Sequence, residues 1–357
     1  MKTYWVAFDL DQTIGCFESL HPYLMVFFPD LLTNVFRAPY YTGKPFPKLT
    51  VSQVDKRRLA IAYGDFVKWM AVREGINKLL RPGILDVMNM LMRAKKKGVV
   101  GGIMIYSNNS NPYMLQFAAD LIKLLMGSDE SVFCPLVHWW HPLRNEEVRA
   151  KGMTYQLSHG PKTAQTIQAA FSAGYCRKYY VSVSFADILF FDDLVHAGIS
   201  DIIPAQNYFH VQPYHHICPV EVINECFLNA LMVNDLDKNL PLLEEFKKVG
   251  LSIGPYAADL ATFRVIQGRE TEVVDGDVIL KRLSKLVNVE YAVFVPNKIT
   301  VAFPAEKPFE KPTLVAVNVT KSNKRTVAAS ASASASASAS SATAATGGKR
   351  KTRKVWS

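Results

Sequence analysis

A chain of 357 residues is long enough for one large domain or two ordinary ones. Its apolar share of 49% and aromatic share of 11% exclude a chain that is disordered or fibrous throughout. The formal charge of +10 invites a nucleic-acid reading, but eight basic residues and no acidic ones lie between Val319 and Ser357, and taking those eight away leaves the rest near +2. The basicity belongs to a tail and says little about the body.

In chain order, Tyr4–Phe8 reads as a strand that stops at Asp9, too short for a signal-peptide core. Residues 14–79 then interrupt the pattern with a segment rich in Pro, Tyr, Phe and Lys and one expected helix, Val54–Arg73. Its apolar stretch Pro22–Phe36 carries Pro29 and Asp30, which suits a buried helix or a cap element better than a membrane span. An insertion at this point would cover the carboxyl end of the first strand. Ile84–Lys97 has apolar residues at Ile84, Val87, Met88, Leu91 and Met92, a helical spacing opened by Pro82 and Gly83 and closed by Gly98. Val99–Tyr106, Val132–Val137 and Ile188–Phe191 read as further strands, with helices at Tyr113–Met126 and Thr163–Ala173. No run alternates clearly, as expected of parallel strands covered on both faces. The expected class is α/β, a doubly wound parallel sheet with an inserted cap at 14–79, in a domain spanning 1–237.

Residues 238–319 show mixed patterns, with a strand expected at Leu260–Gln267, a helix at Val273–Leu286 and strands at Tyr291–Val295 and Ile299–Phe303. They suggest a small C-terminal α/β module. Residues 320–357 turn to Ser-Ala alternation and end in Lys349-Arg350-Lys351-Thr352-Arg353-Lys354, a flexible linker with a basic arm. Such an arm suits a nuclear localisation signal or a weak nucleic-acid contact. Five scattered cysteines without a Cys-x-x-Cys pair read as reduced thiols of an intracellular protein, cytoplasmic or nuclear, with no membrane association. His138 and His141 lack an acidic partner and read as structural.

The chemistry gathers at the strand ends. Asp9 and Asp11 flank Leu10 just past the first strand, in the crevice where open α/β sheets bind ligands. Two carboxylates so close repel and lose hydration unless a cation joins them, and oxygen-only ligation suits magnesium (Mg2+). Such an ion would also neutralise a phosphate monoester. Ser107, Asn108 and Asn109 follow the second strand, where a hydroxyl and backbone N–H groups can hold phosphoryl oxygens. Lys162 precedes a helix and offers a fixed positive charge, while Asp192 and Asp193 end the last predicted strand and would complete the metal site.

This ordered set resembles the haloacid dehalogenase superfamily. Asp9, Asp11 and Thr13 match its Asp-x-Asp-x-Thr motif, Ser107 its second motif, Lys162 its third, and Asp192 with Asp193 its acidic pair. The resemblance covers about residues 1–210. It implies that Asp9 attacks phosphorus and forms an aspartyl-phosphate, and that Asp11 protonates the leaving oxygen and then activates water. Thr13, Ser107, Asn108 and Lys162 would bind the phosphoryl group. Asp9, Asp11 through its carbonyl, Asp192 and Asp193 would bind magnesium. The second carboxylate, Asp11, favours a phosphatase over a dehalogenase. Leu80-Arg81-Pro82-Gly83 adds a likeness to phosphatases of the RNA polymerase II C-terminal domain, with departures at Gln12, at Tyr106-Ser107-Asn108-Asn109 and in the long insertion. The implied partner is a phosphorylated protein or small molecule. Two alternatives stand beside it: a 3′-end nucleic-acid phosphatase tethered by the tail, and a binding or structural protein that keeps the fold without catalysis.

Overall fold

The apolar runs assemble into a sheet of five parallel strands, β1 (Tyr4–Phe8), β2 (Val100–Tyr106), β3 (Leu136–Val137), β4 (Ile188–Asp192) and β5 (Tyr208–His210), in the order β3-β2-β1-β4-β5. The computed structural model describes residues 2–28, 53–73, 78–109, 111–139, 141, 143–144, 162–173, 180–216, 218–236, 276–290, 292–296, 299 and 301, all inside the unit Met1–Lys307. Eight helices of four residues or more accompany the sheet among these residues: α1 (His21–Phe27), α2 (Gln53–Val72), α3 (Ile84–Lys96), α4 (Pro112–Met126), α5 (Ala164–Ser172), α6 (Ala197–Ser200), α7 (Val220–Val233) and α8 (Gly276–Val287).

The strands look uniformly apolar because both faces are covered, and the period of two survives inside them. Val6, Phe8, Ile103, Ile105, Leu189 and Phe191 point to one face and share a core with α1, α2, α3, α4, α7 and α8. Trp5, Ala7, Met104, Tyr106, Ile188 and Phe190 point to the other and pack on α5 and Ile199 of α6. Gly101 keeps β2 clear of the Trp5 indole, since a Cβ there would lie 2.8 Å from the ring. The ends of the helices follow local chemistry. In α4, the Asn111 side chain accepts the Tyr113 N–H, Pro112 opens the first turn, and Gly127 closes the last in the left-handed region.

Both α1 and α2 come from the 14–79 segment. Leu59, Ala62, Phe66 and Met70 of α2 join Phe117 of α4 and Ile223, Phe227 and Ala230 of α7 in the larger core. Leu280, Leu283 and Val287 of α8 belong to that core too, and Arg282 lies over the Phe209 ring at 4.3 Å.

Several expectations change. The strand foreseen at Val132–Val137 shortens to Leu136–Val137, because Pro135 has no N–H to give to a ladder. No strand forms over 292–296, where Val293 and Val295 are exposed and the Phe294 N–H goes to Asp86 Oδ1 at 2.6 Å rather than to a neighbouring strand. The expected strand Leu260–Gln267 and the basic tail lie outside the described residues, as does most of Ile299–Phe303. Cys16, Cys218 and Cys226 are outside any disulfide, but Cys134 is in one, which corrects the reading of five reduced cysteines. Folding brings Ala170 and Phe171 of α5 beside Cys134 and Pro135, a proximity that sequence spacing does not reveal. Among the described residues, no helix is long and apolar enough to cross a membrane.

Candidate active site

Strand β1 is central, and the chain crosses to β2 on one side and to β4 on the other. The carboxyl ends of β1 and β4 are therefore the switch point where such sheets bind ligands. Phe8 pairs with Phe191, and the Asp9 N–H continues the ladder to the Phe191 carbonyl at 2.8 Å. Asp9 and Asp192 thus leave adjacent strands at the same level. Lys162 enters just before α5, whose first turn is capped by Thr163, with its hydroxyl accepting the Thr166 N–H. The Thr163 N–H donates to the Tyr106 hydroxyl at 3.0 Å, which fixes this corner to the end of β2.

The lysine ammonium lies 2.6 Å from Asp9 Oδ1 and 2.6 Å from Asp192 Oδ2, and its side chain is 2% exposed. Carboxylate oxygens of Asp9, Asp192 and Asp193 lie within 4.8 Å of one another, and all three residues are buried. Three clustered carboxylates, two of them paired with one lysine, leave an excess of negative charge in a poorly solvated place. Burial pushes the Asp9 carboxyl up; Lys162 pulls against this, and the Asp192 charge adds to it. Burial, then the charges of Asp9 and Asp192, push Asp193 up to about 6. Burial also opposes ionisation of Asp192, but a hydrogen bond from His196 and the charge and hydrogen bond of Lys162 hold it below the usual range. Burial would discharge Lys162, yet the two carboxylates keep it protonated, above the ordinary lysine range.

Thr13 joins the two acidic loops. Its hydroxyl donates to Asp193 Oδ1 at 3.1 Å and accepts the Asp193 N–H at 3.0 Å. The resemblance assigns Thr13 to the phosphoryl group; here its one proton goes to Asp193, so it clasps the loops together. The turn around it is tight. Gln12 has a φ of 62°, the Gln12 N–H donates to the Gly15 carbonyl, and Arg81 donates to the carbonyls of Thr13, Gln12 and Gln212. Gly15 has no room for a side chain, because a Cβ would fall 2.1 Å from the Leu79 carbonyl oxygen.

Ser107 is buried directly after β2, and its Oγ accepts the Asn109 N–H at 3.1 Å. Asn108 is exposed, and its amide oxygen accepts from Arg144 at 2.8 Å. Asn109 reaches Asp11, its Nδ2 donating to Oδ2 at 2.8 Å. The buried Arg144 also donates to the Ser107 carbonyl at 2.9 Å and lies over the rings of Tyr106 and Trp139 at 5.2 and 5.5 Å. His196 Nε2 stands 3.3 Å from Asp192 Oδ2.

Of the predicted residues, Asp9, Lys162, Asp192 and Asp193 meet directly. Thr13 touches the cluster through Asp193, and Asp11 is tied to the Ser107 turn. Sequence reasoning missed Asn109, Arg144, Tyr106 and His196 as site residues. Asn109 stood in a motif already quoted, whereas nothing in the spacing of Arg144 marks it. The His138 and His141 rings meet edge to face at 5.9 Å, and the described metal-capable cluster is the three aspartates. Comparison with protein-family models, with curated proteins and with solved structures finds no match for this chain.

Proposed function

We propose that the chain is a magnesium-dependent phosphomonoester hydrolase with a haloacid-dehalogenase-like core, acting through a covalent aspartyl-phosphate on Asp9. The observation that carries the reading is the buried cluster in which Lys162 bridges Asp9 and Asp192, with Asp193 within 4.8 Å, at the switch point of a parallel sheet. The residues fit a hard dication: the donors are carboxylate oxygens, and their negative charge exceeds what Lys162 balances. Asp9, Asp192 and Asp193, with the carbonyl of Asp11, would hold it. Bound there, magnesium supplies the positive charge that lets an anionic nucleophile meet an anionic ester.

The protein's own groups account for the remaining steps. A carboxylate oxygen of Asp9 bonds to phosphorus as the bond to the leaving oxygen breaks, and Asp11 gives that oxygen its proton. Water then attacks the phosphoaspartate, passes a proton to Asp11, and releases inorganic phosphate and the Asp9 carboxylate. Lys162 orients Asp9 and offers its charge to the phosphoryl oxygens, while the Ser107 hydroxyl supplies a further donor. Substrates are phosphorylated proteins or small molecules.

The test is hydrolysis of p-nitrophenyl phosphate with and without magnesium, for the wild type and Asp9→Asn. The expected result is metal-dependent turnover that falls by at least about 1,000-fold in the variant, since an amide cannot replace the carboxylate nucleophile. Undiminished turnover by Asp9→Asn removes the nucleophile assignment. A wild type silent on a broad phosphomonoester panel removes the hydrolase reading.

A further inference from the structure

We infer that Asn109 and Arg144 form a positioning relay for Asp11, a role that rests on the hydrolase reading above. Asn109 is committed on three sides. Its N–H goes to Ser107 Oγ, its Oδ1 accepts the Asn111 N–H at 2.8 Å, and its Nδ2 is left to donate to Asp11 Oδ2 at 2.8 Å. The Asn111 bond matters because an amide with its oxygen fixed cannot flip, so its NH2 end faces the carboxylate. Asn111 in turn caps α4, which anchors the amide to a helix instead of a loose loop.

The turn that carries Asn109 is held from outside by Arg144. One guanidinium nitrogen takes the Ser107 carbonyl and the other the Asn108 side chain, so the planar fork spans both residues before Asn109. The segment that brings Arg144 is fixed to the same turn by backbone bonds. Ser107 N–H donates to the Val137 carbonyl at 2.9 Å and Trp139 N–H to the Asn109 carbonyl at 3.0 Å. Tyr106, under the guanidinium, joins the relay to the Lys162 corner through its hydroxyl. Arg144 therefore acts at a distance: it sets the Ser107–Asn109 turn, the turn aims the Asn109 amide, and the amide sets which oxygen of Asp11 faces the leaving group. Sharper aim matters most where the proton must arrive as the bond breaks, since misplacement by about 1 Å can cost on the order of 100-fold.

Leaving groups separate this role from a merely structural one. p-Nitrophenolate departs without a proton, whereas an alkoxide needs one, and general acid catalysis contributes about 100- to 10,000-fold. In Asn109→Ala, kcat/KM for phosphoserine or an alkyl phosphate is expected to drop about 20-fold further than that for p-nitrophenyl phosphate, so the ratio of the two falls by that factor. Arg144→Lys, which keeps the charge but loses the fork, should shift the same ratio by about 10-fold. Equal losses on both substrates, or no loss on either, overturn the relay. Arg144→Ala risks misfolding, so Arg144→Lys and the partly exposed Asn109 carry the test. If the wild type hydrolyses neither ester, the hydrolase reading falls and the relay with it. An active wild type with an unchanged ratio in both variants removes the relay alone.

Discussion

Lys162→Met puts the central electrostatic claim under the most direct strain. Methionine nearly matches the lysine stem in volume, so the change removes a charge and little packing. The ammonium it deletes sits 2.6 Å from each of two carboxylates in a side chain only 2% exposed. At an effective dielectric near 20, each contact has a Coulomb energy of about 6 kcal/mol, most of which offsets the cost of desolvating the ions. Breaking a buried pair by losing one partner costs about 3–5 kcal/mol, because the remaining charge is stranded. Asp9 would lose the cation that opposes its rise and Asp192 the one that helps to hold it low, so the folded-state pKa values of both would rise. An acid raised in the folded state favours folding below its unfolded value and loses that contribution as pH climbs through the folded value. The deficit of Lys162→Met should therefore be small near pH 4, grow toward pH 7, and shrink again when millimolar magnesium is added. Urea unfolding of both proteins at pH 4, 5.5 and 7 reads it, and a thermal melt at pH 7 should show a Tm lower by about 10 °C. A loss under about 1 kcal/mol, or one that does not change with pH, refutes the reasoning.

Two further outcomes follow from other parts of the molecule. Burial, with the charges of His141 and Arg144, lowers His138 from 6.5 to about 4, so the neutral ring favours the fold above pH 6.5 and that contribution is lost as pH falls toward 4. Because the ring is partly solvated, the loss is about 1–2 kcal/mol; urea midpoints of wild type and His138→Gln should converge over this window, and parallel curves would argue against it. Gly15→Ala forces a methyl to within 2.1 Å of the Leu79 carbonyl oxygen and 2.9 Å of the Phe17 ring, so it should cost at least about 2 kcal/mol and loosen the Asp9–Thr13 turn. A Gly15→Ala protein with wild-type melting would show that the turn and the segment at Leu79 separate easily.

Strand β1 and helices α3, α4 and α5 were readable to within about a residue, because apolar runs and periodic faces ended at Gly, Pro or a capping side chain. Strand β5 was not, since its three residues are a strand only through pairing with β4. Helix α7 is apolar on most sides, so it gave little face to read. The site divides along the same line. Asp9, Lys162, Asp192 and Asp193 announce themselves by standing at the ends of strands or the start of a helix. Arg144 is 37 residues from Ser107, and Thr13 is 180 residues from Asp193, so the contacts that give them their roles exist only after folding. A residue type at a motif position told where Thr13 would be, but not which partner would take its proton.

The pairing of α2 with α7 has a consequence for the order in which the molecule can be made. Leu59, Phe66 and Met70 leave the ribosome early, while Ile223 and Phe227, the side chains that cover them, emerge some 150 positions later. Until then the apolar stripe on α2 waits uncovered, a nascent surface that invites chaperones or self-association. Shortening the chain before Val220 would make that transient exposure permanent.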